Sequence, residues 1–220
     1  MIEFLIRRFV PDWQQVQRTD VRERYGTLAA AVGILSNIFL CIIKGLIGLF
    51  SGSIAVTADA VNNLSDAGSS VITLLAFKIA GKPADEEHPY GHARMEYISG
   101  MAVSFIIILL GLELMGSSFE KILHPEEVGV SALTYLVLIV SIAVKLWQGM
   151  FNRSLGKRIS SEALQATAAD SLNDVFSTGA VLLSTLVYQF TAIPIDGWVG
   201  MLVAIFITVS GVKLIMETGS

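Results

Sequence analysis

Four side chains with oxygen donors form two matched pairs in this chain. Asn62 and Asp66 are four residues apart, and so are Asp170 and Asp174. On an α-helix, residues four apart lie on the same face, one turn removed. If the two helices face each other, three carboxylates and one amide carbonyl surround a single point. The spacing therefore predicts an all-oxygen site for a divalent cation.

The donor types favour some cations over others. Carboxylate and amide oxygens are hard ligands, whereas zinc sites usually recruit imidazole or thiolate groups. An all-oxygen site suits Mn²⁺, Mg²⁺ or Ca²⁺, and among these Mn²⁺ accepts irregular coordination and loses its water more readily than Mg²⁺. We expect Mn²⁺ to be the preferred ion. Fe²⁺ is an alternative that ligand chemistry alone does not exclude.

Both pairs lie within long apolar segments. The 220 residues are 53% hydrophobic and only 15% charged, against about 25% charged in ordinary soluble domains. A bilayer core requires roughly 20 apolar residues of helix. Six segments meet this length: 25–50, 53–79, 97–119, 130–151, 164–188 and 193–214. Charges at membrane depth are costly and usually functional, so the carboxylate pairs are predicted to be functional.

The basic residues orient the predicted spans. Most of them precede the first span or flank the loops after the second and fourth spans: Arg7, Arg8, Arg18, Arg22, Arg24, Lys78, Lys82, Arg94, Arg153, Lys157 and Arg158. The other loops contain only Lys121. Because loop Lys and Arg stay on the cytoplasmic side, both termini are predicted to be cytoplasmic.

The resulting fold prediction is an all-α membrane protein with six transmembrane helices. Residues 1–24 form a cytoplasmic or interfacial segment, residues 25–217 the membrane domain and residues 218–220 a tail. The pattern over 1–10 predicts a short amphipathic helix at the membrane interface rather than a cleaved signal. The single cysteine, Cys41, allows neither an intrachain disulfide nor a multi-thiolate metal site.

An internal repeat supports a central site. Residues 58–75 align without gaps on residues 166–183, with identity at 7 of 18 positions, including Asp66 on Asp174. The copies are three spans apart, so the second and fifth spans are predicted to run in opposite directions. Inverted three-helix repeats with a central ligand site are a known transporter arrangement.

The motifs of the chain resemble those of the cation diffusion facilitators. The resemblance rests on the string from Ser53 to Asp66, the loop His88-Pro-Tyr-Gly-His92-Ala-Arg-Met-Glu96, and the Asp170-x-x-x-Asp174 pair. It implies six spans, a metal site between spans two and five, and proton-coupled export of divalent metal. Where zinc-exporting relatives commonly have His, or Asp in span two, this chain has Asn62 and Asp170, which resembles the manganese-exporting branch.

The resemblance also bears on assembly. Members of this family usually carry a cytoplasmic, dimerising C-terminal domain. The chain stops at Ser220, so we expect the transmembrane domain alone, in a bacterial plasma membrane. Membrane lipids and a second copy of the chain, as a homodimer, are the expected partners. Nucleic acid is not, because the basic residues are spread along one membrane face.

The loop after span two has two interpretations, one of which is a second metal site. Asp85, His88 and His92 occupy positions that bind metal in some relatives. Acidic and histidine side chains are also ordinary on a solvated turn, where Lys82 or Arg94 could pair with them. We favour this structural interpretation of the loop.

Four other charges lie well inside the predicted spans. We expect Lys44 and Lys145 to extend to an interface or to form ion pairs. Glu113 could pair with Lys44 or line an outer vestibule. Asp59 is almost on the face of Asp66, but we expect it to hydrogen-bond a neighbouring helix, because Thr167 stands at its position in the repeat.

The predicted function is proton-coupled export of divalent metal, most simply Mn²⁺, by alternating access. Protons are the expected counter-ion because they compete with metal for carboxylate oxygens. The alternatives are an exporter that also handles Fe²⁺, Zn²⁺ or Co²⁺, and a scaffold or receptor with structural metal. An enzyme is not predicted, since the spans contain no HExxH-type motif or Ser/His pairing.

Overall fold

The fold is built from long helices. The structure, a computed structural model, describes residues 2–80, 91–125 and 128–219. Within these ranges the chain forms seven helices and no strand: α1 (Ile2–Phe9), α2 (Thr19–Ser51), α3 (Ile54–Ala80), α4 (Gly91–Leu123), α5 (Ala132–Arg158), α6 (Glu162–Thr191) and α7 (Asp196–Gly219). The predicted N-terminal helix is therefore present as α1.

Helices α2 to α7 overlap the six predicted segments. Three helical stretches in the described ranges are both long and apolar enough to cross a membrane, and they are Thr19–Ser51, Ala132–Arg158 and Asp196–Lys213. Helices α3, α4 and α6 contain 27, 33 and 30 residues, which is enough on length alone because a helix rises about 1.5 Å per residue.

Helices α3 and α6 begin in the same way. Gly52 and Ser160 have φ angles of 66° and 49°, in the left-handed region, which turns the chain sharply after the preceding helix. The next residues, Ser53 and Ser161, each accept a hydrogen bond on Oγ from the backbone N–H three residues further on, at 3.1 and 3.4 Å. Serine in this position stabilises a helix start.

One end of the bundle is held together around α1, and we call it the α1 end. Arg22, near the start of α2, donates a hydrogen bond to the backbone oxygen of Ile159, which follows α5, over 2.5 Å. The hydroxyl of Tyr25 donates to the backbone oxygen of Trp13 over 3.0 Å. The start of α2 and the end of α5 therefore lie side by side.

The opposite end is held together by Asp196, the first residue of α7, and we call it the Asp196 end. Its carboxylate accepts hydrogen bonds from Ser53 Oγ at 2.5 Å and from the backbone N–H of Ile54 at 2.8 Å. Nearby, the N–H of Gly129 donates to the backbone oxygen of Ser51 over 2.7 Å. Helix α3 thus begins at the Asp196 end, whereas α6 begins at the α1 end, and the two helices run in opposite directions.

Two apolar clusters lie on either side of the bundle centre. The first, towards the Asp196 end, contains Ala55, Val56, Ala58, Ile107, Leu114, Leu138, Val181, Val203, Ala204 and Ile207. The second, towards the α1 end, contains Ile6, Val10, Val21, Tyr25, Ala29, Phe151, Leu155, Ile159 and Leu164. The middle layer between these clusters contains Asp66 of α3, Lys145 of α5, and Asp170 and Asp174 of α6.

Candidate metal centre

Three carboxylates converge in this middle layer. One oxygen from each of Asp66, Asp170 and Asp174 lies within 4.8 Å of the other two. Asp66 is the thirteenth residue of α3, and Asp174 is the thirteenth of α6. Asp174 is buried, whereas Asp66 and Asp170 are partly exposed. The predicted convergence of the two i, i+4 pairs therefore has a counterpart in the fold.

Asn62 joins the same group through its amide. Its Nδ2 donates a hydrogen bond to Oδ1 of Asp174 over 2.7 Å, and both side chains are 2% exposed. The amide nitrogen thus faces the carboxylate, with the oxygen on the other branch of the same side chain. Rotation of the amide would present that oxygen to a cation without any movement of α3.

Lys145 is the residue of this centre whose role the sequence interpretation did not foresee. Its Nζ lies 2.7 Å from Oδ2 of Asp66 and 2.6 Å from Oδ2 of Asp174, and its side chain is 1% exposed. The expectation that Lys145 extends to an interface is wrong, because it is the fourteenth of 27 residues in α5 and faces the bundle. The ion-pair alternative is the one that the structure contains.

The carboxylates surround a small polar cavity. Its volume is about 40 Å³, which is room for an ion with a water molecule or two, since one water needs about 10–15 Å³. Every lining residue has a polar side chain: Asn37, Asp66, Ser69, Ser70, Lys145, Gln148, Thr167, Asp170, Ser171 and Asp174. Such a wall suits a small hydrated ion and not an apolar ligand.

Asn37 and Gln148 are further lining residues that the sequence interpretation missed. Both side chains are 1% exposed. Gln148 is three residues after Lys145, on the same face of α5, and its Oε1 accepts a hydrogen bond from Ser36 Oγ over 3.1 Å. Asn37 Oδ1 is buried without a hydrogen-bond partner among the described residues. The i, i+3 spacing of Lys145 and Gln148 was the available signal for a polar inner face on α5.

A second buried ion pair lies closer to the Asp196 end. Lys44 Nζ is 2.8 Å from Oδ2 of Asp59, and these side chains are 0% and 1% exposed. Thr178 on α6 accepts from Lys44 and donates to Asp59 Oδ1, at 3.1 and 3.2 Å. Asp59 therefore bridges helices as expected, and Lys44 neither reaches an interface nor pairs with the exposed Glu113.

The possible second metal site lies between α3 and α4 in the chain. Asp85 and His88 lie outside the described residues, and so does the side chain of His92, which belongs to the first turn of α4. Within the described ranges, Asp66, Asp170 and Asp174 form the one group of acidic, histidine or cysteine residues with the spacing of a metal site.

The arrangement defines a helical membrane protein with an acidic, oxygen-rich centre among α3, α5 and α6. Comparison with known proteins gives the family. The family model described as the cation efflux transmembrane domain matches residues 30–220. The chain therefore belongs to the cation efflux family, which is the family that its motifs resemble.

Individual relatives are similar over most of the chain. An uncharacterized transporter of Methanocaldococcus jannaschii is 34% identical over 176 residues, which is 80% of this chain and 62% of that protein. The manganese efflux system protein MneS of Bacillus subtilis is 34% identical over 179 residues, 79% of this chain and 62% of MneS. The magnetosome protein MamB of Magnetospirillum gryphiswaldense is 30% identical over 151 residues, 69% of this chain and 51% of MamB. The chain thus spans less than two thirds of the length of these relatives.

Proposed function

We propose that this chain is the transport domain of a proton-coupled exporter of divalent metal, with Mn²⁺ as its preferred substrate. The observation that carries this proposal is the convergence of Asp66, Asp170 and Asp174 on a small cavity lined by polar side chains. Charges at membrane depth are rare except at ion pathways. Asn62, hydrogen-bonded to Asp174, completes the proposed ligand set.

The choice of Mn²⁺ rests on the donor set and on one relative. Three carboxylates and one amide offer oxygen alone, and hard oxygen ligands suit Mn²⁺ better than Zn²⁺. The relative MneS is named as a manganese efflux protein and is 34% identical to this chain over its matched residues.

The proposed architecture has six membrane spans, α2 to α7, in two inverted three-helix repeats with both termini in the cytoplasm. Residues 108 positions apart have the same local role, which supports the repeat. These pairs are Gly52 and Ser160 with positive φ, Ser53 and Ser161 at helix starts, and Asp66 and Asp174 in the centre. The opposite directions of α3 and α6 support the inversion.

Alternating access is the proposed transport cycle. A small second cavity on the α1 side shares Ser70 and Thr167 with the central one, and it also contacts Asn152 and Leu164. The position of this neighbouring cavity favours entry from the α1 end, which is the cytoplasmic end in the proposed topology. Towards the Asp196 end, the Lys44–Asp59 pair and the first apolar cluster stand in the way. Outward release therefore requires α3 and α6 to separate at the Asp196 end.

Protons are the proposed coupling ion. The same carboxylate oxygens bind either metal or proton, so a proton entering the outward-facing site weakens its hold on the metal. Asn62 does not titrate, and it supplies a neutral donor without a fourth negative charge. Membrane lipids and a second copy of the chain are the proposed partners.

A flux assay in proteoliposomes tests the function. Purified chain would be reconstituted with an internal metal-sensitive dye and offered Mn²⁺, Fe²⁺, Co²⁺ and Zn²⁺ in turn, with and without a pH gradient. We expect Mn²⁺ flux that a proton gradient accelerates and that Asp66→Asn and Asp170→Asn abolish. Glu113→Gln, an exposed carboxylate of α4, is the matched control.

Three outcomes would decide against parts of the proposal. Equal flux of all four metals would favour a broad exporter. Tight Mn²⁺ binding without flux would favour a metal-binding scaffold or receptor. Undiminished flux in both Asp variants would show that the proposed site is not the transport site.

A further inference from the structure

We infer that Lys145 is a tethered substitute for the transported cation: its ammonium contacts the carboxylates that the metal would use, and the metal must displace it in order to bind. This inference rests on the proposed function, because it concerns the same carboxylates. It assigns to α5 a direct part in binding and release, beyond the α3 and α6 ligand pairs.

The geometry makes the two cations exclusive. The ammonium already contacts Oδ2 of Asp66 and Oδ2 of Asp174 at 2.7 and 2.6 Å. A divalent ion approaches carboxylate oxygens to about 2.0–2.6 Å, so it needs nearly the same position between these two atoms. Two cations at nearly the same position repel strongly. Metal binding and the observed Lys145 contacts therefore cannot coexist.

The Lys44 pair shows what a purely structural buried lysine is like in this fold. Lys44 meets one carboxylate and one hydroxyl, and it does not line the polar cavity. Lys145 contacts two carboxylates, with Asp170 close by, and it lines the cavity. The Lys145 ammonium therefore lies at carboxylates that line the cavity, whereas the Lys44 ammonium does not.

The cavity also provides a place for the displaced ammonium. Asn37 Oδ1 is a buried acceptor with no hydrogen-bond partner in the described ranges, and it lines the same cavity as Lys145. A lysine side chain has four rotatable bonds and can redirect its ammonium without movement of α5. With Lys145 moved towards Asn37, a divalent ion and the ammonium together balance the three carboxylates.

A substitute cation lowers affinity and speeds release. Binding of Mn²⁺ breaks the ammonium contacts, and their loss is unfavourable. The site therefore binds Mn²⁺ more weakly than its ligands alone would. When the metal leaves, the ammonium returns and the carboxylates are not left bare in the membrane. Removal of the ammonium should therefore tighten binding and slow turnover, whereas loss of a structural ion pair would weaken binding.

The test compares Mn²⁺ binding by the parent chain, Lys145→Met, Lys145→Gln and Lys145→Arg in detergent, at constant neutral pH, by electron paramagnetic resonance titration. Lys44→Met is the matched control, because it removes the other buried lysine and also leaves a buried carboxylate unpaired. We expect the Met and Gln variants to bind Mn²⁺ about tenfold more tightly, equal to about 1.4 kcal/mol. In flux assays both KM and kcat should fall. The Arg and Lys44→Met variants should bind no more tightly than the parent.

A measurement on the unaltered chain tests the inference even if the variants fold poorly. Reductive methylation of lysines, read by mass spectrometry, should modify Lys145 faster with saturating Mn²⁺ than without it, while Lys44 stays unchanged. Unchanged Lys145 reactivity would overturn the inference, and so would weaker Mn²⁺ binding by folded Lys145→Met and Lys145→Gln. In either case, Mn²⁺ binding by the parent chain would still support the proposed function. If the parent binds no Mn²⁺, the proposed function fails, and the inference fails with it.

Discussion

The amide of Asn62 donates a hydrogen bond to the carboxylate of Asp174 over 2.7 Å, and so joins α3 to α6 inside the polar layer. In the proposed site, residue 62 would therefore influence which metal binds. We predict that Asn62→His increases Zn²⁺ flux relative to Mn²⁺ flux, because imidazole is a preferred zinc ligand and a poorer match for Mn²⁺. Flux of both metals in the same vesicles measures the ratio.

Asn173→His controls for the added imidazole itself. Asn173 precedes Asp174 but is exposed, so its substitution should leave the flux ratio at the parent value. An unchanged ratio in Asn62→His would mean that residue 62 does not determine selectivity.

The acidity of the solution should control Mn²⁺ affinity. In the proposed site, Asp66, Asp170 and Asp174 must be ionised to bind metal, and protons would compete for the same oxygens. We therefore predict that the Mn²⁺ dissociation constant rises when the pH is lowered from about 7.5 to about 5.5. The rise should be tenfold or more if each bound ion displaces about one proton or more. Titrations with Mn²⁺ at fixed ionic strength measure it. A dissociation constant that stays level over this range would contradict proton competition.

The helices and the carboxylate pairs were largely predictable from sequence. The segments 25–50 and 130–151 became α2 (Thr19–Ser51) and α5 (Ala132–Arg158), which are longer than predicted. Hydrophobicity marks only the apolar part of a span, whereas the helix continues through polar residues such as Arg153 and Lys157. The i, i+4 spacing of the ligand pairs was informative because helix geometry alone fixes their faces.

The role of Lys145 was not predictable in the same way. A lysine six residues from the end of a predicted segment can reach an interface, and its burial depends on which face of α5 turns inwards. That rotation follows from packing against α2 and α6, which no local spacing records. The partner of Lys44 was not predictable for the same reason, since Asp59 lies on a different helix.

The Lys44–Asp59 pair should be important for stability. Lys44→Met leaves the buried Asp59 carboxylate without its cation, which we expect to lower the free energy of unfolding by about 3–5 kcal/mol. The double variant Lys44→Met/Asp59→Asn should recover most of this loss, because it removes both charges and keeps an acceptor for Thr178. Thermal unfolding in detergent compares the three chains. A double variant as unstable as the single one would refute the charge argument.

Close packing of the turn between α2 and α3 gives a steric prediction. A Cβ at Gly48 would lie 2.9 Å from the backbone nitrogen of Thr57, whereas a Cβ at Gly116 would have no neighbour within 4 Å among the atoms described. Gly48→Ala should therefore lower the unfolding temperature. Gly116→Ala should leave it level or raise it, because alanine favours helix by about 1 kcal/mol over glycine. Equal shifts in the two variants would contradict this packing.

The most direct test of the metal centre is an electron paramagnetic resonance titration of Mn²⁺ into the parent chain and Asp174→Asn. Asparagine keeps the size of residue 174 but removes the charge that Lys145 and Asn62 both contact. We expect one saturable Mn²⁺ per parent chain and a loss of affinity of about a hundredfold or more in the variant, equal to about 2.8 kcal/mol. Asp174→Asn that is folded and binds Mn²⁺ as tightly as the parent would contradict it.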